Sequence, residues 1–165
     1  MLDNPPPPPA GYAARVPCVA EASLAALTDA GPDYLGREAL LTPATAAAWH
    51  AMRAAAVADG IELLLVSAFR SIARQTELLC GKLERGMSIE DALQYSAYPG
   101  FSEHHSGEAI DIGTPFSEPL EEEFETTAAF SWLCDNAAAF GFHMSYPREN
   151  SAGIAYEPWH WRRIA

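Results

Sequence analysis

The sequence predicts a single α+β domain with a mostly antiparallel sheet flanked by helices. Three observations lead there. A chain of 165 residues matches one domain by length and is long enough to bury a core without staples. Short apolar or alternating runs suited to strands are interleaved with segments of helical period. No strand-helix-strand unit of roughly thirty residues recurs, as a parallel sheet would need.

The chain opens on five prolines, Pro5 to Pro9, which predict an extended polyproline arm over residues 1–11, flexible and outside a domain of residues 12–165. Between Tyr12 and Leu41 the signals are mixed, with Gly31-Pro32 and Gly36 as turn points. Thr42-Pro43, then Trp49, Met52, Ala56 and Val57 at helical spacing and Gly60 as a stop, predict a helix with a threonine cap. Ile61 to Val66 suits a buried strand that delivers the chain to Ser67-Ala68-Phe69-Arg70-Ser71. A second helix starts at Ser71, carries Ile72, Gln75, Leu78, Leu79 and Leu83, and stops at Gly86. Ser88-x-x-Asp91 then reads as a capping box for a short third helix.

Tyr98-Pro99-Gly100 breaks the pattern and opens a polar loop, Ser102 to Gly107. In Ala109-Ile110-Asp111-Ile112 the alternation puts Asp111 with Ala109 on one strand face and the isoleucines on the other. The acidic run Glu118, Glu121, Glu122, Glu123 and Glu125 precedes a helix marked by Phe130, Leu133, Ala137 and Phe140; carboxylates there favour the positive end of the helix dipole. A calcium site is the sharper reading, but the acids lack the Asp/Asn/Gly spacing of calcium loops. After Gly141, Phe142 to Tyr146 and Ile154 to Trp161 read as two strands joined by a loop of turn formers.

Charged residues are 19% and the hydrophobic class 49% of the chain, a globular composition. A net charge of −12, with no cluster among the basic residues, argues against nucleic acid or anionic membrane surfaces as partners. No signal peptide or transmembrane segment is read from the residues, so the compartment stays open and includes the cytoplasm. Cys18, Cys80 and Cys134 lack any C-x-x-C; idle thiols are the simpler reading, with one disulfide still open.

Two imidazoles and a carboxylate are the usual protein share of a catalytic zinc, and a second carboxylate nearby can take a proton from water. His104, Asp111, His160 and Glu157 have those residue types. Taken singly, each has a plainer reading, since a lone histidine is more often a surface or satisfied core residue than a ligand. His104 and Asp111 are seven apart, so on one continuous strand they would face opposite ways; Ser106-Gly107 supplies the bend that could bring them together. The offset from Glu157 to His160 poses the same problem, and Pro158 marks a kink or sheet edge. His105 points elsewhere than its neighbour, and His50 and His143 take the structural reading. Trp159 and Trp161 could line a site, though strand aromatics are more often core. Arg70, at the end of a buried strand, is a local cation suited to clamp a carboxylate or stabilise an oxyanion.

The chain resembles the zinc D,D-carboxypeptidases of the VanY type, whose metal core is shared with D-alanyl-D-alanine dipeptidases and the hedgehog-like fold. Ser102 to Asp111 carries the S-x-H-x-x-G-x-A-x-D pattern, and Glu157 to Arg162 carries E-P-W-H-W-R intact. Ser67 to Ser71 stands where the family has S-G-Y-R-S, followed by Gln75; Asn136-Ala137, Phe140-Gly141-Phe142 and Tyr146-Pro147 also match. The resemblance covers residues 40–165 and implies a hedgehog/D,D-peptidase-like fold with one zinc on His104, Asp111 and His160. It implies Glu157 as the catalytic base that takes a proton from a zinc-acidified water and returns one to the leaving amine. Arg70 then stabilises the tetrahedral intermediate or holds substrate, Gln75 and Ser102 contact a terminal carboxylate, and Trp159 lines the substrate site. Ala68-Phe69 and Met144-Ser145 depart from the pattern and bear on substrate preference.

The implied substrate is a peptidoglycan stem peptide or muropeptide cut before a terminal D-alanine, with the cell envelope as its place. On the same core the residues also allow an L,D-carboxypeptidase, a D-Ala-D-Ala dipeptidase or an L-alanyl-D-glutamate endopeptidase. Of another class, a wall-peptide binding module could keep zinc for stability alone, although the spare carboxylate of Glu157 speaks against it. Oligomeric state is not legible.

Overall fold

The computed structural model describes residues 2–164. Residues 2–9 contain neither helix nor strand, and the Leu2 N–H donates to the Glu84 carboxylate. A single helical turn, α1 (Tyr12–Arg15), then buries the Tyr12 ring. The segment that the sequence leaves unassigned contains a hairpin of β1 (Thr28–Pro32) and β2 (Glu38–Leu41). Its turn is held by Asp33, whose carboxylate accepts from the Leu35 and Arg37 N–H groups and from Arg37 Nε at 2.7 Å. Polar turn chemistry and interrupted alternation hide such a short hairpin from a periodicity reading.

Helix α2 (Pro43–Ala58) starts as expected: the Thr42 hydroxyl accepts from the Thr45 N–H, and Pro43 occupies the first turn. After β3 (Leu64–Ser67), Ser71 caps α3 (Ile72–Glu84) and Ser88 caps α4 (Ile89–Tyr95), each accepting the N–H three residues on. Strand β4 (Ala109–Gly113) follows, then α5 (Ala128–Asn136), β5 (Phe142–Met144) and β6 (His160–Arg163). The last two strands are shorter than expected, because residues 145–159 run in turns and extended chain outside the ladder. The expected helix through Phe140 ends at Asn136 and tightens into a 3-10 turn, Ala137–Phe140.

The acidic run does not serve the dipole of α5. Glu122, Glu123 and Glu125 lie in a 3-10 turn, Glu122–Thr126, with Glu118 and Glu121 before it, while Thr127 caps α5 with its side chain. Glu122 and Glu125 instead pair with Arg148 at 3.7 and 2.9 Å.

Strands β3-β4-β6-β5 form one antiparallel sheet in that order. Its two faces do different work. Ile110, Ile112 and Trp161 point into the main core with Trp49 and Met52 of α2 and Leu133 of α5. A second cluster of Tyr12, Val16, Leu79, Ala92 and Leu93 unites α1, α3 and α4. Asp111 of β4 stands between Ser67 and His160 in the ladder, on the face away from the isoleucines. Cys18, Cys80 and Cys134 are all free thiols.

Candidate active site

Cross-strand register brings the first two candidate ligands together. Asp111 is the direct partner of His160 in the β4–β6 ladder, and side chains opposite each other share a face at close range. His160 Nδ1 lies 3.0 Å from Asp111 Oδ1. His104 joins them from a 3-10 turn, Glu103–Ser106, which takes it off the strand and resolves the odd spacing. Gly107 ends that turn at φ 71, and a Cβ there would meet Leu27 Cδ2 at 2.6 Å and the Thr42 nitrogen at 3.3 Å. Only glycine meets both demands. His104 Nε2 thus comes within 3.2 Å of Asp111 Oδ2.

All three side chains are buried, and their donor atoms lie within 4.8 Å of one another. Two imidazole nitrogens and a carboxylate oxygen suit zinc, and donors sharing one tetrahedral ion sit about 3.4 Å apart. The residues present therefore fit the metal that their types suggest.

Each histidine is oriented through its other nitrogen. His104 Nδ1 lies 2.8 Å from the Ala68 carbonyl, which fixes Nδ1–H as donor and turns Nε2 inward. His160 is held in the opposite sense, with Nε2 at 2.8 Å from Glu103 Oε2 and Nδ1 inward. Glu103 is itself fixed by the Ser145 hydroxyl at 2.6 Å and by Arg162 at 3.5 Å. A carboxylate behind a ligand histidine sets its tautomer and raises its basicity. Sequence reasoning passes over Glu103 because it occupies a variable slot of the motif; its only signal is adjacency to His104. The departure at Met144-Ser145 acquires a role here, since Ser145 serves the ligand shell. Ala68 contributes its carbonyl, and Phe69 is not among the cleft-lining residues.

Glu157 reaches the cluster through a tight turn. The His160 N–H donates to the Glu157 carbonyl, with Pro158 between them, so the kink read from Pro158 is a chain reversal. Glu157 Oε2 lies 3.9 Å from His160 Nδ1. Burial, reinforced by Asp111 and Glu103, raises the Glu157 carboxyl to about 7 against the pull of His160 and Arg70. That is the range in which a carboxylate both accepts and returns protons near neutrality. Burial disfavours charge on His160, but Asp111 and Glu103 outweigh it and raise this imidazole to about 10. Burial lowers His104. Desolvation opposes the Asp111 charge, yet its two histidine neighbours hold it well below the carboxylate range.

The Arg70 guanidinium donates to Gln75 Oε1 at 2.9 Å and to Ser67 Oγ at 3.1 Å, and lies 3.9 Å from Asp111 Oδ2. Its backbone N–H donates to the His104 carbonyl. Gln75 stands behind Arg70 on α3. It is fully buried, and its amide donates to Ser96 Oγ and the Ala97 carbonyl while its oxygen accepts from Arg70. In this arrangement it aims Arg70. His105, also fully buried, ties the Arg70 carbonyl to the Gly100 N–H through its two ring nitrogens. It stays outside the cluster, as expected.

A cleft of about 500 Å³ opens over the cluster, lined among others by Arg70, Ser102, Tyr146, Glu157 and Trp159. Tyr146 lays its ring 4.8 Å from that of His160. Burial, with Glu103 and Glu157 nearby, raises its phenol, so it is a neutral hydrogen-bond donor at neutral pH.

The VanY family, described as D-alanyl-D-alanine carboxypeptidase, matches residues 38–165. YodJ of Bacillus subtilis (strain 168) is 38% identical over 113 residues, covering 67% of this chain and 41% of its own. The chain thus spans about two fifths of the length of that relative. Among solved structures, the LdcB LD-carboxypeptidase superposes with a TM-score of 0.78 at 32% identity, covering 88% of this chain and 70% of that one. A vancomycin-resistance D,D-pentapeptidase VanY variant in complex with Zn(II) gives a TM-score of 0.66 at 26% identity, over 100% of this chain and 87% of that one. With its single α+β domain, its antiparallel sheet and its buried His/Asp/His cluster, the chain belongs to the VanY family.

Proposed function

We propose that the chain is a zinc-dependent D-alanyl-D-alanine carboxypeptidase that releases the terminal D-alanine from peptidoglycan stem peptides. The observation that carries this reading is Glu157, a partly buried carboxylate raised to about 7 beside three convergent donors. A structural zinc is closed by a fourth protein ligand and has no use for such a group. The VanY relative in complex with Zn(II) supports the choice of metal.

In this reading His104 Nε2, a carboxylate oxygen of Asp111 and His160 Nδ1 would hold the zinc. Zinc supplies Lewis acidity toward a water and the scissile carbonyl. Glu157 takes the proton and later returns it to the departing D-alanine amine. Arg70, held in place by Gln75 and Ser67, faces the negative charge that develops on the carbonyl oxygen. Trp159 and Ser102 line the cleft where the peptide would lie. The catalytic unit comprises residues 12–165, with 1–11 as an arm. The family's substrate implies the cell envelope as the working place; among the described residues no helix is long and apolar enough to cross a membrane.

A second reading, an L,D-carboxypeptidase acting on the tetrapeptide, is favoured by the likeness to LdcB. Incubation with defined pentapeptide and tetrapeptide muropeptides, with released products identified by mass, decides between them. Loss of D-alanine from the pentapeptide alone supports the first reading, and loss from the tetrapeptide the second. Release of nothing from either rejects both.

A further inference from the structure

His105 is a polar residue of the motif loop that the mechanism leaves unused. It is fully buried, and a buried imidazole needs partners for both nitrogens. Its Nδ1–H donates to the Arg70 carbonyl at 2.7 Å, and its Nε2 accepts the Gly100 N–H at 3.1 Å. One nitrogen donates while the other accepts, so the ring sits here as the neutral Nδ1–H tautomer. The Arg70 N–H donates in turn to the His104 carbonyl at 3.1 Å. Both backbone groups of Arg70 are therefore held by the His104-His105 pair.

That pair is braced from another part of the chain. The Val19 N–H donates to the Gly100 carbonyl and the Ala22 N–H to the His105 carbonyl, each at 2.8 Å. Between them, the Glu21 carboxylate accepts the Ile72 N–H at the start of α3, where it also meets the positive end of the helix dipole. Residues 19–22 thus join the motif loop to the Arg70 segment, and they precede the residues 38–165 that match the family. Arg70 has need of such a hold, because it lies in the gap between the end of β3 at Ser67 and the start of α3 at Ile72. Gln75 and Ser67 accept from its guanidinium, but they aim it correctly only if its backbone is fixed as well. Misplacing a catalytic group by about 1 Å can cost about 10²-fold in rate.

We propose that His105, braced by residues 19–22, is a positioning residue that sets where the Arg70 guanidinium stands over the reacting carbonyl. It touches no substrate and acts only through Arg70. The effect on rate rests on the carboxypeptidase reading; the hold on Arg70 does not.

A double-mutant cycle with Arg70→Lys separates this role from a merely structural one. His105→Leu removes both ring bonds, whereas the amide of His105→Gln keeps one donor and one acceptor. Turnover of a pentapeptide ending in D-Ala-D-Ala and zinc content are measured for each variant, alone and combined with Arg70→Lys. The NMR signal of the Arg70 Nε–H, assigned by its absence from Arg70→Lys, is followed alongside and needs no substrate. His105→Leu should lower kcat by about tenfold or more, with KM changed less and zinc retained, and His105→Gln should restore most of the loss. In the Arg70→Lys background, His105→Leu should cost less than about twofold more. The Arg70 signal should move and exchange faster in His105→Leu and return in His105→Gln. Glu21→Ala, at an exposed position, tests the brace: it should move the same signal in the same direction and lower kcat to a smaller extent. If His105→Leu does not fold, the cycle of Glu21→Ala with Arg70→Lys decides in the same way. An equal loss of kcat in both backgrounds, or an Arg70 signal unchanged from wild type in these variants, overturns the inference. Wild type that cuts no peptide rejects the carboxypeptidase reading, and the Arg70 signal still decides the role of His105.

Discussion

The two ends of the cleft are built in opposite ways. At the floor, His104, Asp111 and His160 are each at most 4% exposed, and each histidine has its second nitrogen pinned by a specific acceptor. At the rim, Met87, Tyr95 and Leu120 are exposed, and Lys82 is unpaired among the described residues. The floor derives from strand register and a glycine-terminated turn, both of which tolerate little displacement. The rim derives from a helix face and loops, which accept substitution. Chemistry therefore resides where the backbone is over-determined, and recognition where side chains remain free to meet a ligand.

Substitutions at the floor should be the most damaging. His160→Ala removes a ligand and leaves Asp111 and Glu103 without the imidazole between them, so zinc should be lost after dialysis and turnover should fall by about 10³-fold or more. Retention of stoichiometric zinc in that variant would remove His160 from the ligand set. Arg70→Lys keeps the charge but not the fork that engages Gln75 and Ser67. A drop of roughly 10²-fold in kcat is expected with metal content intact, and an unchanged kcat would reassign the carbonyl contact.

Glu103→Gln tests the layer behind the ligands. Weakening the acceptor on His160 Nε2 should lower zinc affinity about 10- to 100-fold, measured by competition with a chromophoric chelator. Affinity equal to wild type would make the Glu103 network a packing feature only. The smallest effect concerns stability. Glu157 is raised from 4.5 to about 7, so folding favours its protonated form. That contribution is complete below pH 4.5 and disappears as pH rises through 7. In chelator-treated protein, Glu157→Gln should therefore match wild type near pH 4 and exceed it at pH 8, by roughly 1–3 kcal/mol. Thermal unfolding at the two pH values reads the difference, and equal gains at both would contradict the raised carboxyl.

The sequence made the floor legible and the rim largely not. His104, Asp111, His160 and Glu157 stand in two compact motifs, and the structure gathers all four despite spacings that forbid a common strand. Parity located both bends, at Gly107 and at Pro158, because an odd offset on a strand cannot be met without one. Glu103 was invisible because its partners, Ser145 and Arg162, are distant in sequence. The hold of Gln75 on Arg70 was not legible either, since a motif position says which residue is present but not which of its atoms are already engaged. The β1–β2 hairpin and the misattributed acidic run share a cause: both depend on side-chain partners, Arg37 and Arg148, that periodicity does not reveal.

The central claim is that a metal-holding triad and a separate proton-handling carboxylate share this cleft. Zinc content and muropeptide turnover measured together on Glu157→Ala test it most directly. The account predicts about one zinc per chain with turnover abolished. Full activity in that variant would show that Glu157 is not the base, and loss of its zinc would show that the carboxylate belongs to the metal.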